Sequence, residues 1–151
     1  MDTMNAASTP RVIAFVDGQN LFHAARVAFG HSYPNYDVKA LAESVSRRMG
    51  WTLVQVRFYT GVPDASDNAL WNHFWNAKLP QMGREGIWTF QRSLRYRNQS
   101  IEVPGHGTVT RLVGSEKGID IRIALDVVSL ARRQALDVAL VFSQDQDLSE
   151  V

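Results

Sequence analysis

The sequence predicts a three-layer α/β fold, in which helices cover both faces of a mostly parallel central sheet. Short apolar runs rich in β-branched residues alternate along the chain with segments of helical periodicity, which is typical of parallel strands joined by helices. Hydrophobic residues make up 45% of the chain and charged residues 21%, as in ordinary globular proteins. At 151 residues, the chain has a suitable length for one domain with its own core.

We expect residues 1–10 to form a flexible N-terminal tail, because they are mostly small or polar, and residues 11–151 to form the domain. The expected elements are, in order, a strand at residues 11–16, a helix at 20–29, a helix that begins after the N-cap Asp37, a strand at 53–59, a helix at 67–83, a strand with hairpin-like excursions at 87–113, a helix at 116–134 and a strand at 137–142. Turns are expected around Asn98 and around His106, and Pro80 is expected to end or kink its helix.

Composition excludes several classes of site. The chain contains no cysteine, so a metal site would use oxygen or imidazole ligands. No segment approaches the roughly 18 uninterrupted apolar residues that suggest a membrane span, and the first ten residues lack the apolar core of a secretory signal. We therefore expect a soluble, cytoplasmic protein. The net charge of +1 neither requires nor excludes a nucleic-acid partner.

Acidic residues follow the two most apolar predicted strands. Asp17 comes directly after the first strand, and Asp145 and Asp147 come shortly after the last. Because the carboxyl ends of parallel strands meet at one edge of a sheet, where open α/β folds bind ligands, we expect these acids to lie together. Asp145 and Asp147 are two residues apart, so both side chains would face the same way in an extended segment.

The predicted helix at 116–134 carries acids on its expected inward face. At 3.6 residues per turn, Glu116 and Asp120 fall on the arc of the apolar positions, which are Ile119, Ile123, Val127 and Leu130. A polar strip lies opposite and consists of Arg122, Asp126, Ser129 and Arg133. Asp126 is therefore expected to be an ordinary surface acid, whereas Asp120 occupies a position where an apolar residue is expected.

A cluster of these carboxylates would be costly without compensation. Two carboxylates about 4 Å apart repel by roughly 4 kcal/mol at an effective dielectric constant near 20, and burial adds a desolvation cost for each. A bound cation would offset this cost, and Mg²⁺ or Mn²⁺ suits a site made only of oxygen ligands. The alternatives remain structural: Asp17 as a helix cap, Glu116 as a helix-dipole partner, and Asp145 and Asp147 as turn residues.

Three segments that carry these acids resemble the motifs of one family, in the family's order. Residues 15–20 contain a D-G-x-N motif, residues 116–120 an E-K-G-x-D motif, and residues 143–148 an S-x-D-x-D-L motif. These motifs resemble those of NYN domains, a branch of the PIN-like nucleases, and together they span nearly the whole chain. Gln144 departs from the pattern, because many relatives have glycine there.

The resemblance implies a PIN-like Rossmannoid fold and a ribonuclease that depends on Mg²⁺ or Mn²⁺. It assigns metal binding to Asp17, Asp120, Asp145 and Asp147, with Glu116 as a further catalytic residue. Substrate contacts are implied for Asn20, Lys117 and Ser143, where Ser143 orients its loop. The family continues through a further helix and strand, so we expect this chain to lack the C-terminal elements and to expose a sheet edge that favours self-association. The oligomeric state stays open, with a homodimer as one option.

Arginine and aromatic side chains interleave before the predicted hairpin, in residues 84–97. Single-stranded RNA favours this mixture, because bases stack on rings while arginine contacts phosphate. Arg95 and Arg97, expected near a hairpin tip, are the best candidates, although a strand core with solvated arginines is the alternative. The predicted helix at 67–83 also carries aromatic residues, which we expect to pack in the core or at a dimer contact: Trp71, Phe74 and Trp75, together with Leu70.

Three other functions compete with the ribonuclease. A catalytically silent module that binds RNA or protein would retain the basic segment while binding metal poorly. A phosphohydrolase of the haloacid dehalogenase type would need a second aspartate two residues after Asp17, where Gln19 stands. A dinucleotide-binding role lacks the G-x-G-x-x-G motif after the first strand.

Overall fold

The computed structural model describes residues 8–115 and 118–151. The expected tail therefore lies outside the described residues over positions 1–7, as do Glu116 and Lys117. The elements are β1 (Arg11–Asp17), α1 (Gly18–Phe29), α2 (Val38–Met49), β2 (Thr52–Val62), α3 (Ala69–Arg84), β3 (Trp88–Ser93), β4 (Arg95–Val103), β5 (Gly107–Ser115), α4 (Ile119–Arg132), β6 (Val138–Phe142) and a 3₁₀ helix (Gln146–Glu150). The predicted α/β class is confirmed.

A parallel sheet of four strands forms the centre of the described fold, in the order β3-β2-β1-β6. β1 pairs with both β2 and β6, and Val16 lies opposite Phe142 at the carboxyl ends of β1 and β6. The residues that follow these two strands are therefore brought to the same edge of the sheet. β6 pairs only with β1 among the described strands, so self-association through its other side stays a prediction.

Two apolar clusters hold the helices against the sheet. On one face, Ala14 and Val16 of β1 belong to a core that also contains Val38 of α2 and Trp75 of α3. On the other face, residues of β1 and β2 form a core with α4. The buried members of this core are Ile13, Phe15, Tyr59, Ile119, Ile123 and Val127. Successive β1 side chains thus alternate between two helical layers, which is the period-two pattern of a strand covered on both faces.

Asp126 of α4 differs from the sequence-based expectation, since it is not a solvated surface acid. Its side chain is only 14% exposed and its carboxylate lies 3.5 Å from Arg57 Nη2 and 3.0 Å from Arg122 Nε. The hydroxyl of Tyr59 donates to the same carboxylate at 2.8 Å. Burial and this hydrogen bond raise the pKa of Tyr59, which keeps the phenol protonated as a donor. The expectation failed because helical periodicity does not reveal Arg57 on the neighbouring strand.

The helix α3 does not end at Pro80, whereas a kink there stays a prediction. It continues past Pro80 to Arg84, because Leu79 and Met82 on either side of the proline are buried in the core and hold this turn in place. On the broad face that was expected to group Leu70 with the aromatic residues, Leu70 is 59% exposed, whereas Trp75 is buried. None of the described helices is long and apolar enough to cross a membrane.

The strands β4 and β5 form a separate antiparallel ribbon. Its turn spans 103–107, where Gly105 and Gly107 adopt positive φ angles of 84° and 73°. The expected turn at Asn98 and Gln99 is wrong, because both residues lie within β4 and pair with β5. Arg95 and Arg97 consequently lie at the end of the ribbon opposite its tip, paired with Ser115 and Val113.

Gly18, the first residue of α1, leaves no room for a side chain. A Cβ atom built there would lie 2.5 Å from Cζ of Phe58 and 2.9 Å from the carbonyl oxygen of Tyr59. We expect Gly18→Ala to destabilise the protein by about 1–3 kcal/mol, the usual cost of overpacking a core. Denaturant unfolding measures this change.

Gly83→Ala is the matched control, because nothing lies within 4 Å of a Cβ atom at this helical position. Alanine is the better helix former, so we expect this variant to be neutral or more stable. Equal stability of the Gly18→Ala variant and the unmodified protein would contradict the close approach of Phe58.

Candidate acidic site

Asp17 links the end of β1 to the start of α1, and it is 3% exposed. As the N-cap of α1, its Oδ1 accepts a hydrogen bond from the backbone N–H of Asn20 at 3.2 Å. Its Oδ2 accepts from Asn20 Nδ2 at 2.6 Å and from the hydroxyl of Ser143 at 3.2 Å. The structural role as a helix cap is thus real, and the same contacts fix the orientation of the carboxylate.

Ser143 joins the two strand ends. Its Oγ donates to Asp17 and accepts the backbone N–H of Asp145 at 3.0 Å. Parallel pairing of β1 with β6 places these residues side by side although they are 126 positions apart in the chain. This arrangement agrees with the expectation that Ser143 orients its loop.

An open cleft of about 330 Å³ lies at this edge of the sheet. Three carboxylates line it, from Asp17, Asp120 and Asp145. The other lining residues are Gln19, Asn20, Gly114 and Ile119. We call this feature the acidic cleft. Three of the predicted acids are thus brought to one cavity: Asp17 and Asp145 by the strand ends, as the strand-end argument anticipated, and Asp120 by α4.

The position of Asp147 differs from that of Asp145. Asp145 caps the 3₁₀ helix, and its Oδ1 accepts the backbone N–H of Asp147 at 3.0 Å. An extended segment was expected from the sequence. The chain instead turns directly after Asp145, because of this cap. Asp147 is exposed and is not part of the cleft lining. Its proposed role in metal binding stays a prediction.

The acidic cleft fits a divalent ion that keeps most of its water. Within residues 8–115 and 118–151, no three carboxylate or imidazole side chains are grouped closely enough to hold a metal ion alone. A carboxylate offers about four acceptor sites, and the hydrogen bonds from Asn20 and Ser143 occupy three on Asp17. Mg²⁺ commonly binds through only one or two carboxylates and retains several waters. The described donors are oxygen atoms, which is the ligand type that Mg²⁺ and Mn²⁺ prefer.

The two acids of α4 differ in their surroundings. Asp126 is paired with Arg57 and Arg122, which balance its charge. Asp120 lines the acidic cleft and forms no ion pair with any described arginine or lysine. Glu116 lies outside the described residues, so its predicted contribution stays a prediction, as does the phosphate contact predicted for Lys117. Of the two described acids, Asp120 is the one available to a ligand.

The ribbon carries arginines on one of its two faces. Arg95 and Arg97 alternate along β4, so their side chains share one face, and Arg111 lies on the same face because it pairs with Gln99. Gly114, which lines the acidic cleft, pairs with Tyr96 between these two arginines. The sequence analysis identified Arg95 and Arg97, but it gave no role to Gln19 or Gly114. Gln19 could have been found, since it lies within the first motif, whereas no sequence pattern marks Gly114.

These features define the class of protein: an α/β domain with a carboxylate-lined cleft at the carboxyl edge of its parallel strands. The NYN domain family matches residues 11–151, and the chain therefore belongs to this family. NYN domains are part of the PIN-like nuclease superfamily, and they typically bind RNA. The resemblance inferred from the three motifs is confirmed.

A solved structure shows the same fold. It is a protein of unknown function from Vibrio parahaemolyticus RIMD 2210633, with a TM-score of 0.58 and 19% sequence identity. The similarity covers 97% of this chain and 74% of that chain. None of the curated proteins matches this sequence.

Proposed function

We propose that this protein is a cytoplasmic, metal-dependent ribonuclease that hydrolyses phosphodiester bonds of RNA in the acidic cleft. The observation that carries the proposal is the convergence of Asp17, Asp120 and Asp145 on one cleft, from three elements far apart in sequence. Membership of the NYN domain family supports the same chemistry.

Within this site, each described residue has a distinct task. Asn20 and Ser143 hold the carboxylate of Asp17 in one orientation, so little reorganisation is needed when a ligand binds. Asp120 and Asp145 supply further negative charge on the cleft wall. A bound Mg²⁺ or Mn²⁺ would position the scissile phosphate, activate a water and stabilise the leaving oxygen. Asp147 and Glu116 remain proposed contributors to metal binding and catalysis, and Lys117 to phosphate binding.

The test is cleavage of an end-labelled, single-stranded RNA in three buffers: with Mn²⁺, with EDTA, and with EDTA followed by excess Mn²⁺. We expect cleavage in the first and third buffers only. Cleavage that persists in EDTA would contradict the metal requirement. Absence of cleavage in Mn²⁺, with RNA still bound, would favour the catalytically silent binding module, which the lack of a preformed group of three ligands among the described residues also favours.

Arg95→Ala is expected to weaken RNA binding. Arg95 is exposed on the ribbon face described above, so it can contact phosphate directly. Loss of one phosphate contact should lower the slope of log affinity against log salt by about 1. Filter binding at several salt concentrations measures both effects.

Arg48→Ala is the matched control for this change. Arg48 is also exposed, but it lies at the end of α2, which leads into the start of β2 at the opposite edge of the sheet. Its removal should leave the salt slope nearly unchanged. Equal slopes for the Arg95→Ala variant and the unmodified protein would remove Arg95 from the RNA contact.

A further inference from the structure

A second cavity of about 370 Å³ adjoins the acidic cleft. It lies between α1, α3, the end of β2 and the start of the ribbon, and this volume falls in the range of small-molecule sites. Its aromatic lining consists of Phe22, Trp71, Trp75 and Tyr96. We call it the aromatic pocket.

The aromatic pocket lies next to the acidic cleft, since Gln19 and Gly114 line both. Gly114 also determines where the ring of Tyr96 lies. A Cβ atom at position 114 would be only 2.9 Å from Cε1 of Tyr96, so the ring packs against a residue that has no side chain. A ligand in the cleft that extends past Gly114 would therefore meet the ring of Tyr96.

Trp71 has a ring that its neighbours hold in place. Its ring centroid lies 5.7 Å from that of Phe22, and 5.4 Å from those of Tyr33 and Phe74. A ring that is already packed loses little conformational freedom when a ligand stacks on it, which favours binding. Trp71 was expected to be a core or dimer residue, but it also contributes to a cavity beside the acids.

The pocket also carries polar groups. Arg26 lines it, is exposed, and forms no ion pair with a described carboxylate. Burial, with smaller effects from the charges of Asp67 and Asp64, raises the pKa of Tyr96, so its phenol stays protonated and can donate a hydrogen bond. A flat aromatic ligand with hydrogen-bonding edges matches this combination of rings, a cation and a hydroxyl.

We propose that the aromatic pocket binds the base of an unpaired nucleotide adjacent to the phosphate held in the acidic cleft. This proposal rests on the proposed action on RNA. A base inside a duplex is stacked and paired, so it would have to leave the helix to enter the pocket. The pocket therefore selects single-stranded RNA and gives the nuclease its substrate class.

The test compares binding of a labelled RNA of ten nucleotides with binding of ten variants, each with one abasic position. All oligomers carry the same phosphates, so differences in affinity report the bases. In EDTA, fluorescence anisotropy should show a position where loss of the base weakens binding about 5- to 100-fold, as expected for one lost stacking contact. Mapping of the products formed with Mn²⁺ should place this position next to the cut.

Three variants relate this position to the pocket. Tyr96→Leu and Trp71→Leu should bind intact and abasic RNA with similar affinity. Phe29→Leu is the matched control, because Phe29 is an exposed aromatic residue outside both the pocket lining and the cluster of rings around Trp71. This variant should still bind intact RNA more tightly than the critical abasic RNA. If Trp71→Leu fails to fold, Tyr96→Leu alone carries the test, since Tyr96 lies outside that cluster of rings.

The outcomes separate this proposal from the ribonuclease proposal. Equal binding of all ten abasic oligomers by the unmodified protein would overturn the base site, even if RNA is cleaved. The base site would also be overturned if the Tyr96→Leu variant kept the full difference in affinity between intact and abasic RNA. If no RNA is cleaved but the difference depends on Tyr96, the ribonuclease proposal fails, whereas the pocket is supported as a base-binding site.

Discussion

Replacing Asp120 with asparagine is expected to lower RNA cleavage by more than about 100-fold, because loss of a direct ligand should exceed the roughly 10- to 100-fold cost of losing an outer contact. The substitution keeps the shape of the side chain and removes the charge that a hard cation prefers. Single-turnover cleavage in Mn²⁺ measures the effect, and anisotropy in EDTA should show nearly unchanged RNA affinity.

The fold should tolerate this change. Asp120 forms no ion pair with a described cation, so its loss leaves no buried partner without charge balance. It lies in the first turn of α4, where removal of an acid costs only about 0.3–1 kcal/mol through the helix dipole. Glu43→Gln is the matched control, since Glu43 is an exposed acid of α2 outside the cleft. Cleavage at the unmodified rate by the Asp120→Asn variant would exclude the proposed metal site.

Asp126→Ala is expected to have the largest effect on stability, a loss of about 3–5 kcal/mol. Arg57 has a side chain that is only 10% exposed, and removal of Asp126 would leave its charge buried without a carboxylate partner. The Nε of Arg57 has no hydrogen-bond partner among the described residues, so loss of Asp126 would add to a polar deficit at this buried side chain. Stacking of the guanidinium on Trp88, 3.7 Å from the ring centroid, does not replace the lost charge pair.

Thermal unfolding provides the measurement. At about 2–4 °C per kcal/mol for a chain of this length, the melting temperature should fall by roughly 10 °C. The double variant Arg57→Met/Asp126→Leu should be much less affected, because apolar residues can replace a buried pair at little cost. Surface ion pairs typically contribute less than about 1 kcal/mol. If the Asp126→Ala variant loses less unfolding free energy than this, solvent screens the pair of Arg57 with Asp126.

The sequence predicted the elements whose signals are local. The apolar run of β1 and the cap of α2 are examples, since the side chain of Asp37 accepts the backbone N–H groups of Lys39 and Ala40. The failures involve partners that are distant in sequence. The pairing of β4 with β5 keeps Asn98 extended, and Arg57 on β2 draws Asp126 into a buried pair.

The candidate site likewise combines parts that sequence patterns predict with parts that depend on distant contacts. The rule that parallel strands end at one edge was sufficient to place Asp17 and Asp145 together, and helical periodicity placed Asp120 on the correct side of α4. The aromatic pocket could not be predicted in this way. It depends on α1, α3 and the ribbon meeting around Gly114, and nothing in the order of residues specifies that junction.

The hydrogen bond between Ser143 and Asp17 has a consequence for biosynthesis. β1 emerges from the ribosome before β6, and Ser143 follows Asp17 by 126 residues. Until then Asp17 lacks the hydroxyl that orients it and the carboxylate of Asp145 beside it. A nascent chain therefore carries no assembled cleft until the segment that follows β6 has also been translated.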